Sequence, residues 1–210
     1  MLRIAICDDH PIVREGLRGI LSRHSDIDVV MDVGTAADLL REIEGQRVDV
    51  IVLDIGLPDM NGLEVMKNLH AAGHRAGILL LSMHPEEHYA VRALKAGASG
   101  YLQKESAPEE LEAAVRRIAQ GKKYVTASLA ERLAVDIDDR SAQLPHEILS
   151  DREYQVLCLL ASGKGIKQIA GELSLSPPTV ATYRARVLEK LNLSSTVDLV
   201  RYALEHGLVQ

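Results

Sequence analysis

Five short apolar runs, each followed by a helical pattern, constrain this chain more than any other feature. The runs are LRIAIC, VVMDV, VDVIVLD, GILLLS and GYLQK. Stretches such as VIVL and ILLL are continuous rather than alternating, as strands require when both faces of a parallel sheet are covered. Between the runs lie PIVREGLRGILSR, TAADLLREIEG, NGLEVMKNLHAAG and PEEHYAVRALKAG, and PEELEAAVRRIAQG closes the series. In the first of these, Ile12, Val13, Leu17, Ile20 and Leu21 read as one helical face. Five strands alternating with five helices over about 120 residues specify an α/β fold, a doubly wound five-stranded parallel sheet.

After SLAERLAV the alternation stops. DIDDRSAQLPHE is acidic and polar, holds a proline and lacks apolar periodicity, so residues 121–146 read as a linker with a short helix near 127–135. Beyond it every segment is helical, which specifies a small all-α domain over 147–210. Ser150 with Glu153 forms a capping-box pattern, Gly163 and Gly207 are terminators, and Ser176 precedes Pro177 at a helix start. A length of 210 residues accommodates two such domains, and 47% hydrophobic with 26% charged residues excludes whole-chain disorder. Cys7 and Cys158 are too few for a disulfide framework. No run approaches the ~18 apolar residues of a membrane span, and MLRIAICDDH lacks a signal-peptide profile, so the expected location is cytoplasmic, without a membrane partner.

Ligands of open α/β sheets bind beyond the carboxyl ends of the strands. Asp8 and Asp9 end the first strand, Asp54 the third, Ser82 the fourth and Lys104 the fifth. Three carboxylates brought together repel unless a cation joins them, and a hard, oxygen-preferring ion such as Mg²⁺ is the natural candidate. Mg²⁺ often bridges carboxylates to phosphate, so the cluster points to phosphoryl chemistry, with Lys104 neutralising phosphoryl charge and Ser82 donating to it. Any one of these acids alone reads as a solvated cap; their convergence reverses that reading. CDDHPIV supplies no glycine-rich turn, which excludes a dinucleotide site. His10 reads as a polar structural residue, and His24, His70, His74, His84, His88, His146 and His206, lacking metal-ligand spacing, as solvated surface.

IKQIAGEL, the turn SLS and PPTVATYRARVLEKL have helix–turn–helix proportions over about 166–191. Ile169, Ala170, Leu173, Val180, Val187, Leu188 and Leu191 point inward in this reading. Thr179, Thr182, Tyr183, Arg184 and Arg186 remain for phosphate or base contact, though not all on one face, and Lys164 and Lys167 stand at the start of the first helix. The alternative is a helical docking module with a charged, solvated surface. The whole-chain charge of −6 argues against nucleic acid only until it is divided. Residues 149–210 carry a net +1, and the acidity belongs to residues 1–148.

The motifs CDDHPIVREGL, LDIGLPDMNGLEVM, LLLSMH and LKAGASGYLQK resemble a response-regulator receiver domain from about residue 3 to 120. The segment LSDREYQVLCLLASGKGIKQIAGELSLSPPTVATYRARVLEKLNL resembles a LuxR-type helix–turn–helix domain. Together they are similar to NarL/FixJ-type transcriptional response regulators, and Thr182-Tyr183-Arg184 resembles the GacA/UvrY branch. The resemblance implies that Asp54 accepts a phosphoryl group from a sensor histidine kinase. It places Mg²⁺ on Asp9, Asp54 and the carbonyl of Gly56, with Asp8 in contact directly or through water. Ser82 and Tyr101 fall at the family's switch pair and Lys104 at its lysine, although Glu105 follows where many receivers have proline. The recognition helix is carried over to 177–191, with Ala181 replacing a frequent lysine and Tyr183 a common histidine. The implied output is dimerisation on paired half-sites of promoter DNA, with RNA polymerase as a further partner.

Two other classes compete. One is an interaction protein whose helical domain binds protein; the other is a phosphatase-like enzyme with an aspartyl nucleophile. The second needs an acid two residues after the nucleophile, and Gly56 stands there. The expectation is therefore a phosphoacceptor that catalyses its own phosphorylation, not a turnover enzyme. Segment 86–104 reads equally as an output face or an amphipathic cover. Helix 195–206 serves either as a dimer contact or as closure of its own domain core.

Overall fold

The continuous apolar runs become β1 (Leu2–Cys7), β2 (Ile27–Val33), β3 (Val50–Asp54), β4 (Gly77–Ser82) and β5 (Gly100–Gln103). They pair in parallel in the order β2-β1-β3-β4-β5. Between and after them lie α1 (Pro11–Leu21), α2 (Ala36–Glu42), α3 (Gly62–Ala71), α4 (Glu86–Lys95) and α5 (Pro108–Ala119). This computed structural model describes residues 1–83, 86–106, 108–126, 129–130 and 144–209. The chain divides into two units, Met1–Leu133 and Ala134–Gln210. No helix among the described residues is long and apolar enough to cross a membrane.

Strand pleating sends alternate residues to opposite faces. Ile4, Ile6, Val50, Val52, Leu79, Leu81 and Leu102 pack with Leu21 of α1 and with Leu111, Ala114, Val115 and Ile118 of α5. Ala5, Cys7, Ile51, Leu53, Leu80 and Tyr101 are buried on the other face, to which right-handed crossovers bring α2, α3 and α4. Each fully buried aliphatic side chain contributes about 1.5–3 kcal/mol, so this two-sided core fixes the strand ends in place. Ile12 departs from its expected place and is 84% exposed. At ~100° per residue it falls about 125° from the centre of the face set by Val13, Leu17, Ile20 and Leu21.

Of the expected linker, residues 127–128 and 131–143, including most of the helix expected near 127–135, lie outside the described residues. Pro145–Ile148 forms a 3₁₀ turn across the expected boundary between linker and helical domain. Its His146 is buried rather than solvated, with Nδ1 3.1 Å from the Tyr202 hydroxyl. α6 (Asp151–Ala161), α7 (Ile166–Glu172), α8 (Pro177–Lys190) and α9 (Thr196–Glu205) follow. Gly163 ends α6 at φ +82°, a left-handed conformation that glycine adopts without a Cβ clash. Ile169, Ala170, Leu173, Val180, Val187 and Leu191 are buried as expected, and Leu188 is half-buried.

α6 opens with a complete capping box. Ser150 Oγ accepts from the Glu153 N–H, and the Ser150 N–H donates to Glu153 Oε2. The same Oε2 accepts from Lys190 Nζ at 2.7 Å, which ties α6 to α8. Burial pushes the Glu153 carboxyl up, but the bonds from Lys190 and Ser150 outweigh it and hold the group below the usual glutamate range.

Two substitutions test this framework. An alanine Cβ at Gly62 would overlap the main-chain oxygen of Asp54 and lie 2.8 Å from Ile55 Cα, and neither backbone atom can swing aside. Gly62→Ala should therefore destabilise the N-terminal unit by about 2–4 kcal/mol in urea unfolding. Glu153→Gln keeps the cap but loses the charge facing Lys190, at a cost of about 0.5–1 kcal/mol near pH 7 after solvent screening. A depressed carboxyl stabilises above its unfolded pKa and stops doing so as pH falls through its folded value. The difference from the wild type should accordingly close on acidification below the ordinary glutamate range.

Candidate functional site

The strand order reverses between β1 and β3, and the carboxyl edge at such a switch point is where open α/β sheets bind ligands. Asp8 follows β1, Asp54 is the last residue of β3, Ser82 the last of β4, and Lys104 follows β5. Lys104 is drawn to this edge by its own N–H, which donates to the Ser82 carbonyl at 2.8 Å. Its ammonium lies 2.7 Å from Asp8 Oδ2 and 2.8 Å from Asp54 Oδ2. All three side chains are buried. The second Asp54 oxygen, Oδ1, accepts from the Gly56 N–H at 3.0 Å. Asp8 Oδ1 accepts from the His10 N–H at 2.9 Å, and Arg14 Nη1 donates to the Asp8 main-chain oxygen. Asp9 stands at the rim, 2.7 Å from His10 Nδ1.

Burial pushes the Asp54 carboxyl above the usual aspartate range, and Asp8 adds to this, while Lys104 and the Gly56 N–H oppose it. For Lys104, burial lowers the pKa, but Asp54 and Asp8 outweigh it and hold the ammonium above its ordinary value. Burial also drives the Cys7 thiol strongly upward, with Asp54, Asp59 and Asp8 adding to the effect, so Cys7 is a core thiol rather than a nucleophile.

One donor atom from each of Asp8, Asp9, His10 and Asp54 lies within 4.8 Å of every other. Asp8 Oδ2 and Asp9 Oδ1 are buried without a well-aligned hydrogen bond, although Lys104 and His10 stand close. Carboxylate oxygens with unspent lone pairs, gathered at this spacing, suit a hard divalent cation. Ser82 is buried at this edge, and Tyr101 is fully buried in β5, opposite Leu80 in register.

Three residues that support this edge were not anticipated from the sequence. Asp59 accepts from the Ala36 and Ala37 N–H groups and so holds the start of α2. Buried Asn61 caps α3 by accepting from the Leu63 N–H at 2.9 Å. Arg14 also pairs with Asp32 at 2.7 Å. Asn61 before a helical pattern was the available signal; Asp59 and Arg14 act across the chain and left none.

In the C-terminal unit, the helical period places Thr179, Thr182, Tyr183 and Arg186 of α8 within about 100° of one another. Thr182 and Arg186 are exposed, and Thr179 and Tyr183 half-buried. Arg184 is elsewhere. It lies on the side of Val180 and Val187, and its Nε donates to Thr196 Oγ1 at 2.8 Å. Thr179 Oγ1 bonds to Ser176 Oγ, and Thr182 Oγ1 donates back to the Pro178 carbonyl. Lys164 pairs with Glu172 at 2.5 Å, whereas Lys167 is exposed.

Residues 4–116 match the family described as response regulator receiver domain, and residues 147–203 match that described as bacterial regulatory proteins, luxR family. The chain is 33% identical over 209 residues to response regulator UvrY of Escherichia coli K12, covering 99% of this chain and 96% of that one. It is 39% identical over 201 residues to transcriptional regulatory protein UhpA of the same strain, covering 96% and 97%. Among solved structures, it is similar to the two-component response regulator RcsB–DNA complex, with 26% identity, TM-score 0.60, and coverage of 100% and 99%.

Lys104→Met removes the cation between two buried carboxylates while keeping the volume. It should cost about 3 kcal/mol at neutral pH in urea unfolding. Since Asp54 already has a raised pKa, the cost should shrink as the medium is acidified and the carboxyl takes up a proton. Added Mg²⁺ should restore part of the loss.

Proposed function

This chain belongs to the response regulators that join a receiver domain to a LuxR-type helix–turn–helix domain, and on that premise we propose that Asp54 is the residue phosphorylated by a partner sensor histidine kinase. The observation that carries this reading is the placement of Lys104 between Asp8 and Asp54, with Asp9 beside them. An Asp54 carboxylate oxygen attacks phosphorus, the phosphorus–nitrogen bond of the kinase phosphohistidine breaks, and its electron pair returns to the imidazole. Lys104 neutralises charge on the phosphoryl oxygens, and the Ser82 hydroxyl donates to one of them. Asp9, Asp54 and the Gly56 carbonyl would hold Mg²⁺, and Asp8 would stand close to it. When bound, the ion supplies positive charge to the transferring group. No second acid follows at Gly56, so the chain is a phosphoacceptor that assists its own modification rather than a turnover enzyme.

The new charge near Lys104 and Ser82 biases a two-state loop that Tyr101 reports by its position. The output is dimerisation and sequence-specific binding of promoter DNA, where RNA polymerase is met. In this reading the receiver spans 3–120, the linker 121–146 and the DNA-binding domain 147–210, and the chain works in the cytoplasm. The partly exposed face formed by Thr179, Thr182, Tyr183 and Arg186 supports α8 as the helix in the major groove, with Lys167 on phosphate. Arg184 has a structural role.

Intact mass after treatment with Mg²⁺ and a small phosphodonor tests the acceptor. The wild type should gain one phosphoryl group and Asp54→Asn none; gain at the wild-type rate in Asp54→Asn would overturn the assignment. A gel-shift titration in increasing salt tests the output. Arg186→Ala should weaken binding about tenfold and flatten the salt dependence by about one unit of slope. Arg184→Ala should instead lower the melting temperature of the C-terminal domain.

A further inference from the structure

His10 brings a different donor to an edge otherwise made of oxygen. It stands at the N-cap of α1 with φ −91° and ψ 108°, and Pro11 begins the helix. A Ser, Asp or Asn at such a position turns its side chain onto the helix amides. His10 makes no side-chain cap bond. Its ring faces the carboxylates instead, with Nδ1 2.7 Å from Asp9 Oδ1 and 3.3 Å from Asp8 Oδ1. The imidazole is 61% exposed, so it can adjust as a ligand arrives. Four donor atoms, from Asp8, Asp9, His10 and Asp54, fit within a span of 4.8 Å. Ligands on opposite sides of an ion with bonds of about 2.1–2.3 Å are about 4.2–4.6 Å apart, so one ion can touch all four.

The geometry points to His10 as a nitrogen ligand that shifts this centre's preference from Mg²⁺ toward borderline first-row ions such as Co²⁺. This inference rests on the metal centre proposed above. Mg²⁺ gains little from an imidazole and keeps its waters, whereas first-row ions bind nitrogen progressively better along the series. The ring therefore discriminates between ions more than it strengthens binding overall. A ring that only orients Asp9 would strengthen all ions alike.

The test is calorimetric titration of the full chain with MgCl₂ and, separately, with CoCl₂, using wild type, His10→Ala and His10→Gln. Glutamine can still donate a hydrogen bond to Asp9, so it rescues an orienting role but not nitrogen ligation. The expected result is a Co²⁺ affinity lowered about tenfold or more in both variants, with Mg²⁺ affinity changed less than about twofold. Pulsed electron paramagnetic resonance of the Mn²⁺-loaded chain should show nitrogen coupling in the wild type that both variants lose. An equal loss for the two ions with rescue by His10→Gln, or unchanged Co²⁺ binding in both variants, overturns the inference. Asp9→Asn and Asp54→Asn separate the two levels: if neither weakens one-to-one binding of Mg²⁺, the metal centre itself is misassigned.

Discussion

A single buried ammonium, Lys104, holds the carboxyl edge of the sheet together. It sits between Asp8 and Asp54, at 2.7 and 2.8 Å, with all three side chains almost removed from water. Two carboxylates and one ammonium leave a net negative charge in a place where each ion has already lost solvation. Such a group persists only where geometry is good and the remaining oxygens find donors. The Gly56 and His10 N–H groups supply those donors to Asp54 and Asp8. The deficit of positive charge that remains, enlarged by Asp9, is what suits the edge to a cation in the proposed function. On the proposed reading the same lysine, already beside Asp54, also faces the negative charge that a phosphoryl group on Asp54 would add.

That arrangement needs strand ends fixed to fractions of an ångström, and the loops behind them do this work. The Gly62 N–H donates to the Ile55 carbonyl at 3.0 Å, and the absence of a side chain at Gly62 lets α3 press against the end of β3. Asn61 then caps α3, while Asp59, from the same loop, reaches across to the first amides of α2. One connection therefore sets the position of Asp54 and secures a neighbouring helix. A disturbance there reaches the charged edge directly.

The doubly wound sheet and the convergence of Asp8, Asp9, Asp54, Ser82 and Lys104 were legible because both follow from period and position alone. Continuous apolar runs mark strands, and a residue at a strand's carboxyl end has only one edge to occupy. Ile12 was misplaced because counting apolar residues in α1 ignores their angular spread. His146 was read as surface because its partner, Tyr202, lies 56 residues away and no local pattern announces the contact. Arg184 illustrates the same limit: no local pattern announced that its Nε would donate to Thr196 Oγ1 of α9. Periodicity identifies faces; long-range side-chain pairing needs coordinates.

The pairing of cations also resolves how a domain with a net charge of only +1 can hold a polyanion. Of the seven basic residues in 149–210, Arg152, Lys164, Arg184, Lys190 and Arg201 bond to Gln155, Glu172, Thr196, Glu153 and Asp198. Lys167 and Arg186 have no such bond among the described residues. Two uncommitted cations release few counterions, so a single domain gains little from phosphate contact and its salt dependence is shallow. Lys164 can be recruited at small cost, since an exposed ion pair is worth little in water. Joining two domains changes the arithmetic, because the second engages at the high effective concentration set by the first and the phosphate contacts double. A weakly basic helix–turn–helix thus makes assembly, rather than the affinity of one copy, the quantity worth controlling. On the proposed reading, a phosphoryl switch in a separate receiver is suited to control it.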